Sequence, residues 1–129
     1  MVAKDIMTRD VITAISTMTV KNLATLLIKN QISGVPVAAK NGKIIGMVSE
    51  ADILSKKGKD VKTIMSKKVI SASEETPVEE IAKLMTTHRI NRIPVIREDM
   101  AVGIISRADI VSAIAMGKHI ALHTPVYDL

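Results

Sequence analysis

Cysteine, tryptophan and phenylalanine are absent from the 129-residue chain, and Tyr127 is its single aromatic residue. No disulfide scaffold, thiol nucleophile or cysteine–zinc site is possible. A nucleic-acid surface that stacks bases on several rings is excluded as well. Long apolar runs are also missing: none approaches the roughly 18 residues of a membrane span, and Met1-Val2-Ala3-Lys4 does not open a signal peptide. A soluble cytoplasmic protein is the expectation. Neither a P-loop, a Gly-x-Gly-x-x-Gly nor a His-Glu-x-x-His occurs. Apolar residues nevertheless make up 47% of the chain, so the core is expected to be aliphatic, built from Val, Ile, Leu, Ala and eight Met.

Acidic residues are in deficit, which leaves a net charge of +5. That excess is local. Residues 56–68 carry six Lys and one Asp, a net of +5, while the remainder holds 12 basic and 12 acidic residues. The segment reads as a solvated connection or as a patch for nucleic acid, an acidic partner or polyphosphate.

A duplication organises the chain. At an offset of 58, residues 4–37 meet 12 identical partners, among them Ile6, Met7, Ala14, Val20, Pro36 and Val37, where about two are expected by chance. After a one-residue slip, Gly46–Ser55 matches Gly103–Ser112 at six of ten positions. The slip falls at Lys40-Asn41-Gly42-Lys43, a hairpin turn that is tighter in the second copy.

Both copies read β-α-β-β-α. Val11–Ile15 and Val69–Ser73 are short β-rich runs. Val20, Leu23, Ala24, Leu27 and Ile28 fall at helical spacing, as do Val78, Ile81, Ala82 and Met85. Thr76-Pro77-Val78-Glu79 suggests an N-cap, a proline at the first helical position and a capping-box Glu. Residues 34–39 and 43–48 form one hairpin, residues 92–96 and 100–105 another, and a last helix starts at Ser49 or Ser106, the second running to about Met116. The repeats thus occupy 1–58 and 59–116, with a tail at 117–129. A unit of this size buries little surface alone, so the copies are expected to pack sheet against sheet about a pseudo-twofold axis.

Ser49-Glu50-Ala51-Asp52 and Ser106-Arg107-Ala108-Asp109 follow the last strands. Ser with Asp three residues on caps a helix whether or not anything binds. The same geometry offers amides to phosphate and a carboxylate to the two hydroxyls of a ribose. Elsewhere, His88 and Arg89 suit a helix C-terminus and Glu74, Glu75, Glu79 and Glu80 a helix start. His119 and His123 are four apart but have no evident third ligand, so no metal site and no catalytic pair are expected.

The chain resembles a tandem pair of cystathionine-β-synthase (CBS) domains, a Bateman module, from Lys4 to about Met116. The resemblance rests on Asp5-Ile6-Met7 and Thr63-Ile64-Met65, on Gly34-Val35-Pro36-Val37 and Arg92-Ile93-Pro94-Val95, and on the two Gly-x-x-Ser-x-x-Asp segments. It implies an adenosyl ligand (AMP, ADP, ATP or S-adenosylmethionine) in clefts between the repeats. In one cleft Asp109 would hold the ribose, Ser106 would lie by the phosphate and Ile104 against adenine, with Thr8, Ile12 and Ile32 opposite. The other would use Met47, Ser49 and Asp52 with Ser66, Ile70 and Ile90. Where the first repeat has Gly34 the second has Arg92, which supplies a charged fork to phosphate. The Asp109/Arg92 cleft is therefore expected to take the more phosphorylated ligand, or to take it more tightly. Asn91 stands where a related kinase-regulating module has a phosphate-gripping His.

The expected function is that of a stand-alone regulatory module, not an enzyme and without a resident cofactor. It would form a homodimer and pass the ligand signal to an unidentified protein by population shift. The alternatives are a basic nucleic-acid-associated protein using Lys56–Lys68, which is not favoured, and a structural module with vestigial clefts.

Overall fold

A computed structural model describes residues 1–117. In chain order the elements are α1 (Ala3–Ile6), β1 (Ala14–Ile15), α2 (Val20–Asn30), β2 (Gly34–Ala38), β3 (Ile44–Ser49), α3 (Glu50–Ser55), α4 (Val61–Ile64), α5 (Val78–His88), β4 (Arg92–Arg97), β5 (Met100–Ser106) and α6 (Arg107–Ala115). They belong to two compact units, one of Ile12–Val69 and one that joins Met1–Val11 to the chain from Ile70 onward. Each unit thus combines most of one sequence repeat with the leading segment of the other.

In the Ile12–Val69 unit, β1 runs parallel to β2, and β2 runs antiparallel to β3. Ala14, Leu23, Leu27, Val35, Val37, Val48, Val61 and Ile64 are its buried core. Helix α2 presents Leu23 and Leu27 to that core at four-residue spacing and starts where the Thr19 hydroxyl accepts from the Asn22 N–H at 3.1 Å. It ends on Gln31 in the left-handed region at φ 54°, and the Ile32 N–H then bonds back to Leu27 O at 3.1 Å.

The other unit repeats this plan. Strands β4 and β5 form its hairpin, and Ala3, Val78, Ile81, Met85, Ile93, Val95 and Ile105 lie at the centre of its core. Helix α5 ends on Arg89 at φ 53°, with Ile90 N–H on Met85 O at 3.0 Å. The two helix ends are superimposable in kind, 58 residues apart. Glu98 and Asp99, at φ 52° and 65°, make the two-residue turn between β4 and β5. That is the tighter turn expected of the second copy.

Three local expectations are corrected. The β-rich run Val11–Ile15 yields only the two-residue β1, and Val69–Ser73 only a parallel bridge of Ala72 to Val95. The apolar residues outside those pairings, Ile12 and Ile70, pack into the cores of their units instead. Thr76 does not cap α5. Its hydroxyl turns back to accept from the Ser73 N–H at 2.9 Å, and Pro77 takes the N-cap position. Short helices α1 and α4 were not expected. They are one-turn elements too brief to show a hydrophobic period.

Glycine is required on β3 by a close approach. The strand-like residue Ser66 bonds Met47 through both backbone groups, at 2.9 and 2.8 Å. A Cβ on the neighbouring Gly46 would lie 2.8 Å from Ser66 O and 2.7 Å from the Met65 sulfur. Because the obstructing oxygen is backbone, Gly46→Ala is expected to destabilise the unit by about 1–3 kcal/mol, read as a lower urea midpoint.

Candidate functional site

The two helix starts carry the site residues. At α6, the Asp109 Oδ2 accepts from the Ser106 N–H at 2.8 Å and the Ser106 hydroxyl accepts from the Asp109 N–H at 3.2 Å. This is a reciprocal capping box, as the Ser-x-x-Asp spacing suggested. The Arg107 N–H is also engaged, by Asn91 O at 2.9 Å. Among the described residues, Ala108 N–H is then the first-turn amide left open for an anion.

Arg92 opens strand β4. It stands directly opposite Ser106 in the β4–β5 register, just as Gly34 stands opposite Ser49 between β2 and β3. Thr8 joins the same unit by pairing with Ile104, the two exchanging backbone hydrogen bonds of 2.9 Å each. The Met1–Val11 and Ile70-onward unit thus brings together Thr8, Arg92, Ile104, Ser106 and Asp109 of the first predicted cleft. Ile12 and Ile32 of that set belong to the other unit, where they are half-buried against its core.

The Ile12–Val69 unit gathers Met47, Ser49, Asp52 and Ser66 in the same way, Met47 pairing with Ser66. Ile70 and Ile90 lie in the other unit, packed on its core. The chemistry at Asp52 is different, however. Its Oδ2 accepts from the Ser49 N–H at 2.9 Å and lies 3.3 Å from the Ser49 hydroxyl, so that hydroxyl donates to the carboxylate instead of capping the helix. Its Oδ1 holds the Lys56 ammonium at 2.9 Å, and the same ammonium donates to Ile64 O at 3.1 Å. Sequence reading counted Lys56 only as part of the basic connection. The signal that would have found the pair was its spacing, four residues beyond Asp52 on one helix face.

Beside Asp109 there is open space. A hollow of about 500 Å³ is lined by Met1, Asp5, Ile6, Asp109, Ser112, Ala113 and Met116. Asp109 is half-buried, and among the described residues its Oδ1 has no hydrogen-bond donor.

Other candidates resolve as structural. Glu74 pairs with Arg97 at 3.0 Å and Glu75 with Lys4 at 2.7 Å, and Glu75 holds the Lys4 ammonium above its ordinary pKa. Glu79 and Glu80 sit in the first turn of α5, and His88 closes it. No three potential metal ligands cluster among the described residues, and His119 and His123 lie outside them with the rest of the 118–129 tail. No helix among the described residues is long and apolar enough to cross a membrane. All six Lys of 56–68 are exposed. The unit that carries them holds ten Lys against Glu50, Asp52 and Asp60, a net of +7, so the basicity extends beyond the connection.

Known proteins resemble this chain in sequence and fold. The chain is 34% identical over 111 residues to the L-aspartate semialdehyde sulfurtransferase of Methanocaldococcus jannaschii, which covers 83% of the chain but only 22% of that protein. The chain therefore spans about a fifth of that relative. Against the CBS domain-containing protein YhcV of Bacillus subtilis it is 29% identical, covering 83% of the chain and 81% of YhcV. The structure of the CBS domain pair of protein MJ0100, in complex with 5′-methylthioadenosine and S-adenosyl-L-methionine, superposes with a TM-score of 0.85. It is 32% identical and covers 92% of this chain and 98% of that one. The CBS domain model matches residues 3–58 and 61–116, and the chain belongs to the CBS-domain family as a tandem pair.

Proposed function

We propose that this CBS pair is a regulatory module that binds an adenosyl ligand through the carboxylates at the starts of α6 and α3, with the Asp109 site the stronger. The observation that carries this reading is the half-buried Asp109, fixed by Ser106, with an open Oδ1 and with Arg92 opposite on the sheet. A carboxylate held in one rotamer accepts from a ribose diol without further ordering cost. The bound adenosyl compounds of the MJ0100 pair support the class of ligand. A homodimer belongs to the same proposal. Exposed Ile28 and Leu54, on the neighbouring helices α2 and α3, fit the dimer. Ligand then acts on a partner protein only through its differential affinity for two conformations.

A thermal-shift panel of AMP, ADP, ATP, S-adenosylmethionine, 5′-methylthioadenosine and a 20-base-pair DNA duplex tests it. At 100 times its Kd, a true ligand stabilises by about 2.7 kcal/mol. The expected result is a shift with at least one adenosyl compound that disappears in Asp52→Ala/Asp109→Ala. A shift with DNA alone, abolished by 200 mM salt, would instead favour the basic surface as the working part.

A further inference from the structure

The two helix starts descend from one duplicated segment, yet Lys56 has no counterpart: the equivalent residue, 57 positions on, is Ala113. We infer that Lys56 makes the two sites unequal, its ammonium competing with ribose for Asp52, so that an adenosyl ligand fills the Asp109 site first. This inference rests on the adenosyl-binding reading above and adds a specificity-determining residue to it.

Three observations converge. Asp52 has both oxygens engaged, Oδ2 by Ser49 and Oδ1 by Lys56, whereas Asp109 has only the Ser106 N–H on Oδ2 among the described residues. Lys56 is also anchored at a second point by Ile64 O, so two acceptors hold the partly exposed ammonium at the carboxylate. Where Ala113 replaces it, the hollow of about 500 Å³ is lined by Ile6, Asp109 and Ala113, and Ile6 is the equivalent of Ile64. The position an ammonium fills near Asp52 is left open near Asp109. Displacing Lys56 breaks a partly exposed i,i+4 ion pair and one carbonyl hydrogen bond, which together correspond to about a three- to fivefold loss of affinity at Asp52.

The probe is 5′-methylthioadenosine, which is uncharged, so salt acts on the ion pair and not on the ligand. Titration calorimetry on the full chain in an Asp109→Ala background isolates the Asp52 site. Adding Lys56→Gln is expected to tighten binding there three- to fivefold, Lys56→Arg to leave it unchanged, and 0.5 M salt to close the gap. Equal affinity of the Lys56→Gln and Lys56 proteins at every salt concentration overturns the inference while the adenosyl reading stands. No binding of the probe to the wild-type chain overturns both.

Discussion

Asp109→Ala is expected to weaken binding of an adenosyl ligand at the α6 site by thirty- to about 150-fold, whereas Asp52→Ala costs only a few-fold at the α3 site. A hydrogen bond to a charged acceptor contributes about 1.5–3 kcal/mol, and about 2–3 kcal/mol lost at Asp109 converts to that range of Kd. The asymmetry follows from Oδ1, which is open at Asp109 and occupied by the Lys56 ammonium 2.9 Å away at Asp52. Removing Asp109 also removes the acceptor for the Ser106 N–H, which costs α6 about 1 kcal/mol. Asp109→Asn separates the two effects: its amide oxygen keeps the cap, so stability recovers while affinity does not. Calorimetric titration and a melting curve on each variant read both quantities.

Ile93→Ala is expected to have the largest effect on stability. Ile93 is fully buried on β4 between Arg92 and Pro94 and belongs to the core that also holds Val78, Ile81 and Ile105. Truncation removes three carbons from a close-packed site, at a cost of about 2–5 kcal/mol, against a total of about 5–15 kcal/mol for a typical protein. The melting temperature should fall by roughly 10 °C or more. Ile28→Ala, at a residue 73% exposed on α2, should change the stability of the monomer by less than about 0.5 kcal/mol. With few aromatics to pack, the core has no large ring to collapse into the gap.

Much of this was legible in the sequence because the chain says most things twice. Helices α2 and α5, the two hairpins and the Ser-x-x-Asp helix starts all follow from periodicity and turn chemistry seen in duplicate. Unit composition was harder to read. The Met7-Thr8 and Met65-Ser66 segments are short, and they lie beside β5 and β3 where a glycine leaves room, Gly103 against the Met7 side chain and Gly46 against the Met65 sulfur and Ser66 O. Such fit leaves no period along the chain. Thr76 misled because a Thr-Pro pair suits both a helix cap and the turn it makes with Ser73. Within the candidate site, residue types were visible but their occupancy was not. Asp52 and Asp109 are the same letter in the same motif, and only the folded structure separates one already paired with Lys56 from one that is open.

The central claim is that Asp109 is the principal adenosyl-binding carboxylate. Its most direct test is titration of the wild-type, Asp52→Ala and Asp109→Ala chains with S-adenosylmethionine, AMP and 5′-methylthioadenosine under one buffer condition. The expected result is that the tightest binding survives Asp52→Ala nearly unchanged and is absent from Asp109→Ala, which keeps only the Asp52 site, three- to fivefold weaker. Equal affinity in the two variants, or tight binding that persists in both, would contradict it.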